Sequence, residues 1–212
     1  KPIGGRSLPM VTDQVHKARQ IFQGIHIVQT DNPQRRSTLY FGLEDMSNIL
    51  LRKSHVRSRK IPVYDVGMRI VCVSDTHGLH RQLSLPDGDI LVCTGDFTRR
   101  GRRAEVEEFD RWLSILPHKH KVIIAGNHDF LFEQDPAARD LIQHGTYLQD
   151  ELCEKDGVCI YGSPWQPRFF DWAFNLDRGL PLRNIWAKIP SGIDILLTHG
   201  PPHGILDTTA RG

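Results

Sequence analysis

Long apolar runs are missing from this chain. No stretch of its 212 residues approaches the ~20 consecutive apolar residues needed to span a bilayer, and no secretory apolar segment opens it. Cysteine is scarce as well. Cys72, Cys93, Cys153 and Cys159 are the only four, and none forms a C-x-x-C pair. That leaves no disulfide framework and fits a reducing compartment. With no targeting signal visible, the cytoplasm is the default expectation. An excess of charge of one sign is also lacking, with 27 Lys and Arg against 25 Asp and Glu. The balance is uneven along the chain, however. Residues 1–67 carry 11 basic and 5 acidic side chains (+6), and the remainder carries 16 and 20 (−4). Internal repeats and low-complexity tracts are absent too.

The first 67 residues show no sustained period. Weak helical spacing occurs at residues 11–22 and 43–52, and Pro62 and Gly67 close the segment. It reads as a basic, poorly ordered leader. Its densest basic stretch, residues 52–60, has none of the interleaved aromatics that single-stranded nucleic acid would stack on, so nucleic acid ranks last among partners. From Met68 the pattern changes. Short β-branched and apolar runs, read as buried strands, alternate with helical spacing. Residues 103–116 place Val106, Phe109, Trp112, Leu113 and Leu116 on one helix face, and Pro117 stops that helix. Residues 136–143 read as a short helix with Asp135 as N-cap and Pro136 at the first position. Residues 182–188 read as a helix turn or two, and residues 158–161 and 194–197 as strands. This alternation predicts an α/β layered fold, with one domain over residues 68–212.

Four of the apolar runs end in residues that bind metals. Ile70-Val71-Cys72-Val73 leads into Ser74-Asp75-Thr76-His77, and Ile90-Leu91-Val92-Cys93 into Thr94-Gly95-Asp96. Val122-Ile123-Ile124-Ala125 leads into Gly126-Asn127-His128-Asp129, and Ile195-Leu196-Leu197 into Thr198-His199-Gly200. Ligands of α/β sheets bind where the chain leaves the carboxyl ends of the strands. These donors are therefore expected together at one edge of one sheet. Asp75 and His77 can reach one ion, and Asp96 has two oxygens with which to bridge two. Asn127 offers a carbonyl oxygen and His199 an imidazole nitrogen. Oxygen and nitrogen donors without thiolate suit Mn, Fe, Zn or Mg. Two such ions about 3.5–4 Å apart clamp an in-line displacement at phosphorus, with a bridging water deprotonated to act as the nucleophile. His128, next to Asn127, is placed to protonate the leaving alkoxide. Asp129 is expected to orient a histidine. A cluster of aromatics, Trp165, Phe169, Phe170, Trp172 and Phe174, reads either as a loop packed onto the sheet or as a stacking surface for a nucleobase. Arg168 and Arg178 are candidates to neutralise phosphate.

The ordered set Asp-x-His, Gly-Asp, Gly-Asn-His-Asp and Thr-His-Gly resembles the calcineurin-like metallophosphoesterase superfamily, over about residues 68–212. Residues 161–167 (YGSPWQP), residues 174–179 (FNLDRG), residues 125–129 and residues 199–202 (HGPP) narrow the resemblance. They look like its metallophosphoesterase domain-containing subfamily, whose vertebrate members are brain-expressed. The resemblance implies a β-sandwich flanked by helices, a dinuclear metal site with Mn favoured, and hydrolysis of a small phosphodiester, with cyclic nucleotides among the candidates. By the same resemblance Asp75 and His77 hold one ion, Asn127 and His199 the other, Asp96 bridges them, and His128 is the proton donor. The family pattern ends in Gly-His-x-His after a further strand. This sequence stops at Gly212 without it, and His203 lies in a Pro-Pro-His-Gly turn. The expectation is an incomplete domain in which each ion lacks one nitrogen ligand. The alternative to an enzyme is then a truncated, non-catalytic family member that binds metal weakly or acts through partners.

Overall fold

The computed structural model describes residues 38–40 and 68–201. The helical hints at residues 11–22 and 43–52, the basic stretch at 52–60 and His203 lie outside them. Ten strands are described, and their order explains the apolar runs. β1 (Thr38–Tyr40), β2 (Arg69–Val73), β3 (Ile90–Cys93), β4 (His120–Ile123) and β5 (Thr146–Tyr147) form one sheet in that order, every pair parallel. A second sheet has the order β10-β7-β6. β10 (Ile195–Thr198) lies parallel to β7 (Val158–Ser163), and β6 (Glu151–Lys155) lies antiparallel to β7. β8 (Gln166–Pro167) and β9 (Asn175–Leu176) make a small parallel pair. Strand β1 falls inside the stretch whose sequence shows no period.

Alternation along the strands sorts two cores. Ile70, Cys72, Ile90, Val92, Val122 and Ile124 face inward between the sheets, against Val158, Ile160, Ile195 and Leu197. Val71, Val73, Leu91, Cys93, Ile123 and Ala125 face the other way, under helix α1 (Arg103–Ser114) and its Val106, Phe109, Trp112 and Leu113. A strand covered on both faces must be apolar at every position, which is why these segments show continuous runs and not alternation. Each large side chain buried this way contributes about 1.5–3 kcal/mol. Phe97 stacks on Phe109 with ring centroids 4.2 Å apart. Cys72 and Cys93 are small buried hydrophobes, and burial pushes the Cys72 thiol up to about 12.

The boundaries depart from the sequence reading where local contacts intervene. α1 ends at Ser114, and Ile115 and Leu116 tighten into i−3 bonds because Pro117 disfavours helical backbone before it. Asp135 does cap the next turn, accepting from the Ala137 amide at 3.0 Å. That turn is a 3-10 helix over Pro136–Leu141 and goes no further. The amides of Gln143 and His144 are both taken by Asp110 of α1, each at 2.9 Å, which draws the chain away. α2 (Phe130–Gln134) follows the loop that leaves β4, and α3 (Leu180–Trp186) starts and ends two residues earlier than the 182–188 read from the sequence, with Pro181 in its first turn.

Candidate metal centre

The loops that leave β2 and β3 lie side by side and share a backbone ladder. Asp75 N–H donates to the Gly95 carbonyl (3.0 Å), His77 N–H to Asp96 (2.9 Å) and Gly78 N–H to Phe97 (2.9 Å). Holding this ladder puts Asp75, His77 and Asp96 at φ of 54°, 44° and 54°. Non-glycine residues rarely adopt that left-handed region, and each costs on the order of 1–3 kcal/mol, repaid only where the surroundings insist on it. Two glycines let the next loop come equally close. A Cβ on Gly95 (φ 104°) would lie 2.4 Å from the Gly126 nitrogen, and one on Gly126 would lie 2.3 Å from Asp96 Oδ1 and 2.8 Å from His199 Cε1.

Asp96 stands at the middle. Its Oδ2 is 3.7 Å from His77 Nε2 and 4.0 Å from His128 Nε2, and its Oδ1 is 3.5 Å from His199 Nε2. Two donor triads result, His77–Asp96–His128 and Asp75–Asp96–His199, with the ligand atoms of each within 4.8 Å of one another. Asn127 joins the second, its Oδ1 lying 3.0 Å from His199 Nε2. The structure thus groups Asp75 with His199 and sets His128 beside His77. The donors also do not all come from one sheet edge, as the sequence suggested. Asp75, His77, Asp96 and Asn127 leave the first sheet, whereas His199 leaves β10 of the second, because the two sheets stack with their parallel strands ending on the same side of the inner core.

The three imidazoles are held alike. Nδ1 of His77 faces the Thr98 carbonyl (3.3 Å), Nδ1 of His128 the Arg99 carbonyl (2.9 Å) and Nδ1 of His199 the Thr94 carbonyl (2.8 Å). A carbonyl oxygen only accepts, so each Nδ1 carries the hydrogen and each neutral ring turns a bare Nε2 lone pair toward Asp96. Separations of 3.5–4.0 Å exceed a hydrogen bond, whose upper limit is about 3.2 Å. They suit atoms that converge on a common ion at about 2.0–2.2 Å each. Burial draws the His77 pKa down, with the Asp96 carboxylate offsetting only part of it. For His199 burial also opposes charge, but Asp96 and Asp75 outweigh it and the pKa is raised. This buried spot attracts a positive charge, and Nε2–H then donates to Asn127. Removing that proton leaves lone pairs of His199 and Asn127 facing each other, an arrangement that a cation resolves. The donors present, imidazole nitrogen, carboxylate and amide oxygen without thiolate, fit divalent ions.

Asp129 is fully buried and touches no histidine ring. Its carboxylate accepts from the amides of Asp96 (2.8 Å), Thr98 (2.9 Å) and Gly126 (2.8 Å) and from the Thr98 hydroxyl (2.7 Å). Burial, with Asp96 close by, pushes its pKa up to about 7 against the pull of these bonds. It ties the β3 and β4 loops together and fixes the main chain of Asp96. In place of the expected orientation of a ring, it organises backbone, because the chain turns into α2 immediately after it.

The aromatic cluster divides. Phe174 is fully buried with Trp165 edge-on against it, whereas Phe169 and Phe170 are 64% and 72% exposed. Trp172 lies 4.1 Å from the His128 ring, and His128 and His77 meet edge-on at 4.6 Å. Arg168 is engaged by Asp177 at 2.6 Å. The arginine that reaches the centre is Arg99, whose Nε donates to the His77 carbonyl at 2.7 Å. Nothing local in the sequence marks Arg99 or Thr98 as neighbours of this site, and of the aromatic cluster it is Trp172 that reaches His128.

A two-sheet α/β sandwich with nitrogen and oxygen donors gathered at its strand ends defines a metal-binding hydrolase scaffold. The calcineurin-like phosphoesterase family matches residues 68–211, and the chain belongs to that family. It is 35% identical to metallophosphoesterase domain-containing protein 1 of Mus musculus and of Homo sapiens, over 96% of this chain and 71% of each relative. It is also 38% identical to a UPF0046 protein of Caenorhabditis elegans, over 71% of this chain and 46% of that one. The family implies metal-dependent hydrolysis of phosphoesters with divalent ions. No helix among the described residues is long and apolar enough to cross a membrane.

Proposed function

We propose that the protein is a phosphodiesterase with a dinuclear centre, acting on small phosphodiesters, with cyclic nucleotides among the candidates and Mn favoured over Fe, Zn or Mg. The observation that carries this reading is the shared position of Asp96, whose two oxygens face different sets of imidazoles. Asp75, Asp96, Asn127 and His199 would hold one ion, and His77 and Asp96 the other. Bound ions would supply an activated water and screen the phosphate oxygens as charge builds on them. The chain's own part is positional. Asp129 and the two glycines keep Asp96 between the loops, and the carbonyls of Thr94, Thr98 and Arg99 hold the three rings. His128 keeps its Nδ1 hydrogen on the Arg99 carbonyl and, when it carries a proton on Nε2, passes that proton to the leaving alkoxide. Asp96→Asn removes the bridging charge. Mn-dependent release of 4-nitrophenolate from bis(4-nitrophenyl) phosphate should fall at least a thousandfold in that variant, and retained activity would overturn the assignment. A folded wild-type protein that binds Mn yet releases none would favour the non-catalytic alternative.

A further inference from the structure

We infer that residues 98–102, which follow the β3 loop, form an anion-recognition rim beside this centre, with Arg99 and Arg100 binding a second phosphate group of the substrate, separate from the ester that is cleaved. The inference takes the cleaved group from the phosphodiesterase reading above, and adds what else the substrate carries. Arg99 bridges the two half-buried imidazoles, His77 and His128. Its carbonyl holds His128 and its Nε holds the His77 carbonyl, and its side chain lies across the Gly78 turn, 3.6 Å from where a Cβ would stand. The guanidinium is therefore placed within one side-chain length of His77 and His128, and no carboxylate among the described residues pairs with Arg99, Arg100 or Arg102. Neighbouring cations differ, since Arg103 pairs with Glu107 at 3.8 Å, Arg81 with Glu108, and Arg168 with Asp177 at 2.6 Å.

The acid that does approach the loop is spent on its backbone. Glu105 accepts from the amides of Arg99 (3.4 Å), Arg100 (3.2 Å) and Arg102 (2.9 Å), and none of the three guanidiniums bonds to it. Gly101 N–H donates to the Thr98 hydroxyl at 2.9 Å, and at φ 64° its Cα packs so tightly on α2 that a Cβ would lie 2.5 Å from the Phe130 nitrogen. The loop is held at both faces while its arginines project outward with no acidic partner. A rigid base under guanidiniums that have no acidic partner lowers the ordering cost of binding, and the planar fork of Arg matches two phosphate oxygens at once. The centre beneath, with Asp75 and Asp96, attracts cations, so positive charge on its rim is what would draw in a substrate with a second anionic group.

The test compares two chromogenic diesters in Mn. One is bis(4-nitrophenyl) phosphate, and the other is a 4-nitrophenyl phosphodiester whose alcohol arm ends in a phosphate monoester. The kcat/KM ratio, phosphorylated over plain, should fall at least tenfold in the Arg99→Gln/Arg100→Gln double variant, through KM, with partial recovery in Arg99→Lys. A ratio that does not move overturns the inference. A second arm needs no turnover. Wild type and double variant, both in chelator, are titrated calorimetrically with inorganic pyrophosphate. Binding at least fivefold weaker in the variant supports the rim, whereas equal binding, or none by the wild type, overturns it. If neither diester is hydrolysed, the phosphodiesterase reading fails and the pyrophosphate arm alone decides the rim.

Discussion

Asp129 shows how much one side chain can control from outside the set of ligands. Four donors converge on its carboxylate, three of them backbone amides that belong to the loops carrying Asp96 and Asn127. Asp129→Asn keeps the size but turns an NH2 group toward amides that need an acceptor. Each buried amide left unpaired costs about 1–3 kcal/mol. The variant should unfold about 2–4 kcal/mol earlier in urea and bind Mn at least tenfold more weakly by calorimetric titration. Unchanged stability and affinity together would show that the carboxylate does not hold the loops. At this scale the sequence was partly legible. Gly-Asn-His-Asp announced a site, and the donor types were readable, but the job of its last residue was not. A carboxylate that collects amides and one that orients a ring leave the same letter in the chain.

Among elements, the contact between α1 and the turn after β2 carries a pH dependence. His80, in the 3-10 turn His80–Gln82, is fully buried against Phe109 and Trp112, with its Nε2 on Glu108. Burial draws the His80 pKa below its ordinary 6.5, with Glu108 only partly opposing. For Glu108, burial acts upward, but Arg81 and His80 together prevail and hold it below 4.5. Both pKa values are depressed in the folded state, so the unfolded chain takes up protons more readily. The stability linked to His80 is present above about pH 6.5 and is lost as pH falls through its folded pKa, and that linked to Glu108 is lost further into acid. Urea midpoints should therefore fall between pH 7.5 and pH 5, and fall less in His80→Gln. Equal slopes in the two proteins would remove this pair as the cause. The elements themselves were legible where burial is two-sided or helical. β6 is not marked by an apolar run, because charged Glu151, Glu154 and Lys155 flank Leu152 and Cys153 and the strand is half-exposed. Its signal was present all the same. Asp156-Gly157 joins it to β7 with φ of 51° and 80°, and an Asp-Gly pair between strands is the mark of a tight hairpin.

Over the whole molecule, the centre joins the two sheets. Asp75 and Asp96 leave the first sheet and His199 the second, so an ion between them is bound only while the sheets are stacked. Free Mn at one hundred times its Kd should then raise the unfolding free energy by about 2.7 kcal/mol. Amide hydrogen exchange should slow in β10 as well as in β3, and Asp96→Asn should abolish both effects. Slowing confined to β3 would mean that His199 is not a ligand. The sequence by itself determined the buried strands β2, β3, β4, β7 and β10, the α1 face, and the order in which donors reach the strand ends, because burial on two faces and the helical period are written in residue type. Only the tertiary structure decided that His199 crosses from the other sheet, which oxygen of Asp96 meets which ring, and that Arg99 lies over His77. Those pairings rest on backbone carbonyls and amides, at Thr94, Thr98, Arg99 and Gly126, and every residue carries a carbonyl, so no letter in the chain could mark them.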